Sequence, residues 1–232
     1  INAFFIPFVQ KAFNISITMS YLVMTATFAS FVVFGIPSGY IIKKTGYKGG
    51  MIIAFLIMAI GFFLVAPAAK LISFPLFLLA LFVSGMGQTL LTGAVNTYVS
   101  ILGPEESAAA RIAGMGICSK TFYAAASLLL SLFMDLTNVR IEDTILPFYL
   151  IAGALVVMGV LYYFAPLPEI KAAGEDESDT TSQASAYANT KTSIFQFPHL
   201  LLGVVAIFFD VGVEYIALGS INDYATILNL SS

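Results

Sequence analysis

Three polar side chains recur four residues apart in an apolar stretch, at Gln88, Thr92 and Asn96. Residues at this spacing share one face of an α-helix and form a polar stripe. Because amides and hydroxyls donate and accept hydrogen bonds, the stripe predicts the wall of a cavity that binds a polyhydroxyl solute. The alternative is contact between helices through small and amide side chains. Glycines that would let a helix or a ligand approach the backbone are Gly85, Gly87 and Gly93.

Three charged residues lie inside other apolar stretches, where a charge is costly. Lys120 is about 13 Å along a helix axis from Arg111, too deep to reach the nearer surface, and it needs a carboxylate or carbonyl partner. Asp210 and Glu214 share a helix face at spacing i, i+4. A carboxylate pair in this setting can take up and release a proton, so these two residues, with Lys120, predict ion coupling. A static ion pair is the alternative.

Other kinds of chemistry find no support in the sequence. One histidine and one cysteine, Cys118, do not make a metal cluster or an internal disulfide. No glycine-rich phosphate loop follows a strand pattern, and no nucleophile is paired with a base. Ten basic residues against thirteen acidic ones give no basic excess for nucleic acid. We therefore expect no enzyme activity, no cofactor, no metal and no nucleic-acid partner.

The composition identifies the elements that position these residues. The 232 residues are 59% apolar and 10% charged, with a mean hydropathy of +0.94. A soluble domain carries about 25% charge, and a water-soluble fold of this length would not hide so much apolar surface. The apolar runs are continuous and lack the alternation of barrel strands, so they are helices in a lipid bilayer. The sequence predicts an all-α polytopic membrane protein.

A spanning helix needs about 20 mainly apolar residues, and six stretches meet this requirement. The opening residues resemble the second half of a further span. The expected helices are 1–13 (partial), 16–42, 49–67, 73–100, 107–134, 145–166 and 197–220. Residues 1–168 then form one bundle, and residues 197–232 begin the next.

The segment 169–196 interrupts the apolar pattern. It is acidic and rich in Ser, Thr and Ala, with too little apolar surface to fold, so it is predicted to be a mobile linker. Successive spans cross the membrane in alternating directions, which places six basic residues on one side of the membrane and three on the other. Because basic residues favour the cytoplasmic side, the side with six is predicted to be cytoplasmic. The six are Lys43, Lys44, Lys48, Arg111, Lys171 and Lys191; the three are Lys11, Lys70 and Arg140. Residues 43–48, 101–111 and 169–196 are thus expected in the cytoplasm.

Several segments resemble one transporter family. Residues 37–48 read PSGYIIKKTGYK, which is similar to the loop between helices two and three of major facilitator transporters. More narrowly, the two lysines resemble those of the fucose–galactose–glucose:proton symporter family. Residues 96–107 read NTYVSILGPEES and lead to Arg111, close to that family's run before its fifth helix. Shorter matches are IPF at 6–8, PHL at 198–200 and VGVE at 211–214.

The resemblance implies a major facilitator fold of two six-helix bundles in a bacterial inner membrane, with alternating access around a central sugar site. The chain would hold most of the N-terminal bundle, the linker and the seventh helix, and the C-terminal half would be its partner. The residues that the resemblance assigns to the gating loop are Gly39, Lys43, Lys44, Gly46 and Lys48. Candidates for substrate binding are Asn2, Gln88, Thr92, Asn96 and Lys120.

This chain departs from the family at the positions that face the solute. Relatives often have Asp after the first-helix Asn, whereas Ala3 follows Asn2 here. Thr92 stands where the family has a sugar-binding Glu or Gln. Three amides of the fifth helix are absent, and Lys120 follows. Specificity for fucose, galactose or glucose is therefore not carried over, and we expect the coupling site to have moved.

Three functions remain open after this comparison. The first is a secondary transporter of a sugar or similar polar solute, coupled to protons. The second is a passive facilitator, favoured by Ala3. The third is a membrane sensor that binds solute without moving it. Accumulation against a gradient separates the first from the second.

Overall fold

The computed structural model describes residues 9–131, 145–168 and 196–227. The chain divides into two compact units, residues 1–171 and residues 172–232. The regular elements of the described residues are all helical, which confirms the predicted all-α fold class. Residues 9–13 are helical. The helices after them, numbered in chain order, are α1 (Ile17–Ser20), α2 (Leu22–Lys70), α3 (Phe74–Ile101), α4 (Ala108–Ser131), α5 (Ile145–Phe164) and α6 (Pro198–Ile227), with a short 3-10 turn at Glu105–Ser107. Helix α6 belongs to the second unit.

Helix α2 contains two of the expected spans, and Gly46 separates them. The backbone of Gly46, at φ 73° and ψ 174°, has a conformation that favours glycine. We call residues 22–45 arm α2a and residues 47–70 arm α2b. The sequence predicts a loop over 43–48, but the helix continues to both sides of Gly46. The lysines end the apolar run without ending the helix, because lysine is a good helix former.

The two arms of α2 pack on α3 in opposite directions. Arm α2a runs parallel to α3, and arm α2b runs antiparallel to it. Helix α5 is antiparallel to α2b, with ring centroids 5.5 Å apart for Phe62 and Phe148 and 5.2 Å apart for Phe55 and Tyr162. The contacts that define the directions of the arms are Ser30 with Gly85 and Ile42 with Gly93 for α2a, and Gly61 with Ser84 and Gly50 with Ala94 for α2b.

Two apolar clusters hold these helices together at their two ends. The end that contains Gly46, Gly103 and the C-terminus of α5 is called the basic end, because Lys43, Lys44, Lys48 and Arg111 lie there. Its core consists of Tyr47, Met51, Phe55, Ala94 and Tyr98. The core of the opposite end consists of Val9, Val23, Val65, Ala68, Phe77, Ala80, Leu81 and Phe148.

Among the described residues, three helical segments are long and apolar enough to cross a membrane. They are Thr18–Lys70, Phe74–Ile101 and Ile145–Phe164. The first has 53 residues and is divided into two arms by the reversal at Gly46. Helix α4 differs from α2, α3 and α5 because its side chains between residues 112 and 125 are mostly exposed.

Candidate functional site

The polar stripe predicted on α3 lies on the exposed face of that helix. Gln88, Thr92 and Asn96 are all exposed, whereas Leu90 and Ala94 between them are fully buried. Helical spacing brings the three polar side chains together along one line. Because they are exposed, packing between the described helices does not occupy them. The amide and hydroxyl groups of the stripe are thus available to a ligand or to a further polar surface.

A different face of α3 packs tightly against both arms of α2. A Cβ atom at Gly85 would lie 2.9 Å from the Thr27 carbonyl oxygen and would overlap Ser30 Oγ. A Cβ atom at Gly87 would lie 2.7 Å from the Ala54 carbonyl oxygen, closer than side chains approach in folded proteins. We call the contact surface formed by Gly61, Ser84, Gly85 and Gly87 the glycine seam.

The sequence leaves open whether the glycines near the stripe admit a neighbouring helix or a ligand, and the glycine seam answers this for two of them. Gly85 and Gly87 admit a neighbouring helix. Gly93 is exposed, and a Cβ atom there would meet only Ile42 Cδ1, at the ordinary distance of 3.6 Å.

Buried hydroxyl groups near the seam bond to their own helices. The hydroxyl of Thr89 donates to the Gly85 carbonyl at 2.8 Å, and that of Ser84 donates to the Leu81 carbonyl at 2.8 Å. On α2a, Thr27 and Ser30 donate in the same way to carbonyls three or four residues earlier. Local bonds of this kind satisfy a buried hydroxyl without any partner from another helix. The polar groups near the seam are therefore structural, and those of the stripe are not used in this way.

The predicted gating-loop residues divide into two groups. Gly39, Lys43 and Lys44 are exposed, and a Cβ atom at Gly39 would meet nothing within 4 Å. Gly46 provides the turn between the arms of α2. Lys48 is half-buried, and its Nζ donates a hydrogen bond of 2.7 Å to the Ala165 carbonyl beyond the end of α5. Lys48 is thus an anchor between elements that are far apart in sequence.

Arg111 has a structural role that its position in the sequence did not disclose. Its Nε donates to the Val99 carbonyl at 3.0 Å, and its Nη2 donates to the Ser100 carbonyl at 2.7 Å. Its Nη1 donates to the Pro104 carbonyl at 3.0 Å and also contacts Ser107 Oγ. The guanidinium therefore caps the C-terminus of α3, where free carbonyls and the helix dipole favour a positive charge. Arg111 lies seven positions after Pro104, in the first turn of α4, so the sequence pairs it with no particular acceptor.

The remaining predicted site residues are on other elements. Lys120 is exposed on α4, nine residues after Arg111. Asp210 is exposed and Glu214 is half-buried, one turn apart on α6 in the second unit. Asn2 lies outside the described residues. The structure therefore assembles the α3 stripe, and the grouping of Lys120 with the two carboxylates stays a prediction.

Comparison with known proteins identifies the family of the chain. The sequence model of the Major Facilitator Superfamily matches residues 1–231. A glucose/galactose transporter of Brucella abortus is 32% identical over 227 residues, which are 95% of this chain and 52% of the relative. The L-fucose-proton symporter of Escherichia coli is 35% identical over 107 residues, 46% of this chain and 24% of the relative. The chain spans about half the length of the glucose/galactose transporter that it matches.

Solved structures give the same fold. The crystal structure of the Escherichia coli fucose:proton symporter superposes with a TM-score of 0.57 at 21% identity, covering 81% of this chain and 53% of that one. A second structure of this symporter, in the outward conformation, gives a TM-score of 0.55. The resemblance found in the loop and helix motifs is thus confirmed by the whole sequence and by the fold. The chain belongs to the major facilitator superfamily.

Proposed function

We propose that the protein is a secondary transporter that carries a sugar or a similar small polar solute by alternating access, coupled to protons. The exposed stripe of Gln88, Thr92 and Asn96 is the observation that carries this proposal. Polar side chains are costly against lipid, so a stripe on a membrane helix faces protein or water. Amide and hydroxyl groups recognise the hydroxyl groups of a sugar by hydrogen bonds. Relatives named as glucose/galactose transporters and L-fucose-proton symporters support the same class of solute.

Proton coupling is proposed for Asp210 and Glu214, with Lys120 as a candidate partner and a further solute contact. Two carboxylates one helix turn apart can hold and release a proton as the site opens to either side. The L-fucose-proton symporter relatives support this class of mechanism. Asn2 completes the proposed set of solute contacts. The solute is moved unchanged, so the proposal includes no enzyme activity.

The proposed architecture follows the major facilitator fold. Residues 1–168 form the N-terminal bundle, residues 169–196 a cytoplasmic linker, and residues 197–232 the start of the C-terminal bundle, whose remainder closes the solute cavity. The basic end faces the cytoplasm of a bacterium, because basic residues favour that side of the inner membrane. Lys43 and Lys44, both exposed at this end, support that orientation.

Uptake into vesicles tests the proposal. The full-length protein is reconstituted, and the uptake of labelled sugars is followed with and without an imposed proton gradient. Accumulation of one sugar only when the gradient is present is the expected result. Equilibration without accumulation would support a passive facilitator, the candidate favoured by Ala3 after Asn2. Binding of a sugar without uptake would contradict transport altogether.

Variants of the stripe test the site. Thr92→Val removes a hydroxyl from the stripe, and we expect the sugar concentration for half-maximal uptake to rise by about tenfold or more, because a site built to hydrogen-bond loses affinity when a partner is removed. Thr97→Val is the matched control. Thr97 is exposed on another side of α3, and its hydroxyl donates to the Gly93 carbonyl at 3.0 Å. Equal effects of the two variants would refute the assignment of the stripe.

A further inference from the structure

The chain that follows α5 is held against the basic end of the bundle. Residues Ala165–Pro168 lie just after the last helical residue, Phe164. The Ala165 carbonyl accepts the hydrogen bond of 2.7 Å from Lys48 Nζ, across 117 positions of sequence. The Pro168 carbonyl accepts a hydrogen bond of 3.0 Å from the Tyr98 hydroxyl, across 70 positions. Two side chains, one from α2b and one from α3, therefore bind the backbone of one four-residue segment.

Apolar packing reinforces these two hydrogen bonds. Leu167 lies between the two bonded carbonyls and is half-buried against the core of the basic end. That core contains Tyr98 itself, which is 5% exposed, and the ring of Tyr47 at a centroid distance of 6.2 Å. The segment is thus attached at three residues: Lys48 binds the Ala165 carbonyl, Leu167 packs on the core, and the Tyr98 hydroxyl binds the Pro168 carbonyl.

The two prolines of the segment lower the free-energy cost of fixing it against the bundle. Pro166 and Pro168 fix two φ angles and have no N–H groups, so little entropy is lost and few donors need partners. The two remaining N–H groups are satisfied locally. Ala165 donates to the Leu161 carbonyl at 2.8 Å, and Leu167 donates to the Ala165 carbonyl at 2.8 Å. The Lys48 ammonium also lies at the C-terminus of α5, where the helix dipole favours a positive charge.

We propose that Ala165–Pro168 forms a strap that joins α5 to α2b and α3, with Lys48 and Tyr98 as its positioning residues. The strap makes the basic ends of these three helices one rigid body. It also fixes the point, after Pro168, from which the chain leaves the bundle. In a transporter that works by movement of whole bundles, the strap transmits that movement to the following chain. This last step rests on the proposed transport function, but the attachment itself does not.

Hydrogen–deuterium exchange of the full-length protein tests the attachment. Tyr98→Phe removes one hydroxyl and keeps the ring in the core, and Lys48→Met removes the charged donor. We expect the Ala165 and Leu167 amides to exchange about fivefold faster in each variant, the loss typical of one hydrogen bond. Tyr163→Phe, which removes the hydroxyl of an exposed tyrosine on α5, is the control and should leave these amides unchanged. Lys48→Arg keeps a charged donor and should restore most of the protection.

Exchange at the wild-type rate in both Tyr98→Phe and Lys48→Met would overturn the strap. The same variants then test its role in uptake. We expect the maximal rate of sugar uptake to fall while the sugar concentration for half-maximal uptake stays constant, because neither residue is part of the stripe. Faster exchange with an unchanged maximal rate would overturn the role in movement. If the unmodified protein moved no sugar, the proposed function would fail, while the exchange measurement would still decide the attachment.

Discussion

The glycine seam and the polar stripe are two surfaces of the same helix, α3, with opposite uses of similar residues. In the seam and beside it, the hydroxyls of Ser84 and Thr89 bond to their own helix, and glycines bring the backbones together. In the stripe, Gln88, Thr92 and Asn96 are exposed. Polarity within a membrane helix therefore does not by itself indicate function. The informative property is whether the polar group already makes a hydrogen bond within the fold.

A side chain that fills the glycine seam should have the largest effect of these variants, the loss of folded protein. A Cβ atom at Gly61 would lie 2.7 Å from the Ser84 Cα atom and would overlap the Ser84 backbone nitrogen. Overpacking of this kind costs about 1–3 kcal/mol for a few extra atoms, and Gly61→Leu adds more than that. We expect Gly61→Leu to abolish folded protein in the membrane, measured by size-exclusion chromatography after solubilisation. Gly35→Leu is the control, since a Cβ atom there meets nothing within 4 Å.

Changing the stripe should remove function and spare the fold. Asn96→Leu replaces an exposed amide by an apolar side chain of similar size. We expect sugar binding to weaken by about tenfold or more, because the solute loses a hydrogen-bond partner. The thermal unfolding midpoint in detergent should stay close to that of the wild type. A large loss of stability with unaltered binding would place Asn96 in a helix contact and not in a cavity wall.

The smallest effect is expected for the buried threonine of α3. Thr89→Val removes a hydroxyl that bonds only within its own helix. The free energy of unfolding should change by about 1 kcal/mol or less, because the Gly85 carbonyl keeps its helical partner and the apolar volume is preserved. Sugar uptake should remain as in the wild type. Paired with Thr92→Val, this variant compares the same chemical change on two faces of one helix.

The sequence predicts the helices well because lipid imposes a strict requirement on their length and polarity. The expected helix over 73–100 is observed at Phe74–Ile101, and the expected helix over 145–166 at Ile145–Phe164. The sequence also predicts the stripe, because amide side chains stand out in an apolar run. It does not predict which face of each helix is buried. In a membrane both faces are apolar, so the contrast that reveals the inner face of a soluble helix is weak.

Side chains that bind backbone carbonyls are the second feature that the sequence does not disclose. The sequence places Lys48 in a loop motif, yet its partner is a backbone carbonyl 117 positions away. Arg111 contributes a positive charge to the basic end, and it also caps the end of α3. A backbone carbonyl has no residue-specific signature, so side chains that bind one leave no pair of matching residues in the sequence.

The reversal at Gly46 has a consequence for the length of the helices on either side of it. Without that one residue of non-helical backbone, α2 would be a continuous helix of 49 residues, roughly 70 Å long, against a hydrocarbon layer of about 30 Å. Gly46 thus divides one apolar stretch into two antiparallel arms, each of about 36 Å. Each arm is long enough to match the thickness of a bilayer, whereas the undivided helix would be about twice too long. A single glycine therefore fits an apolar stretch of this length to a bilayer.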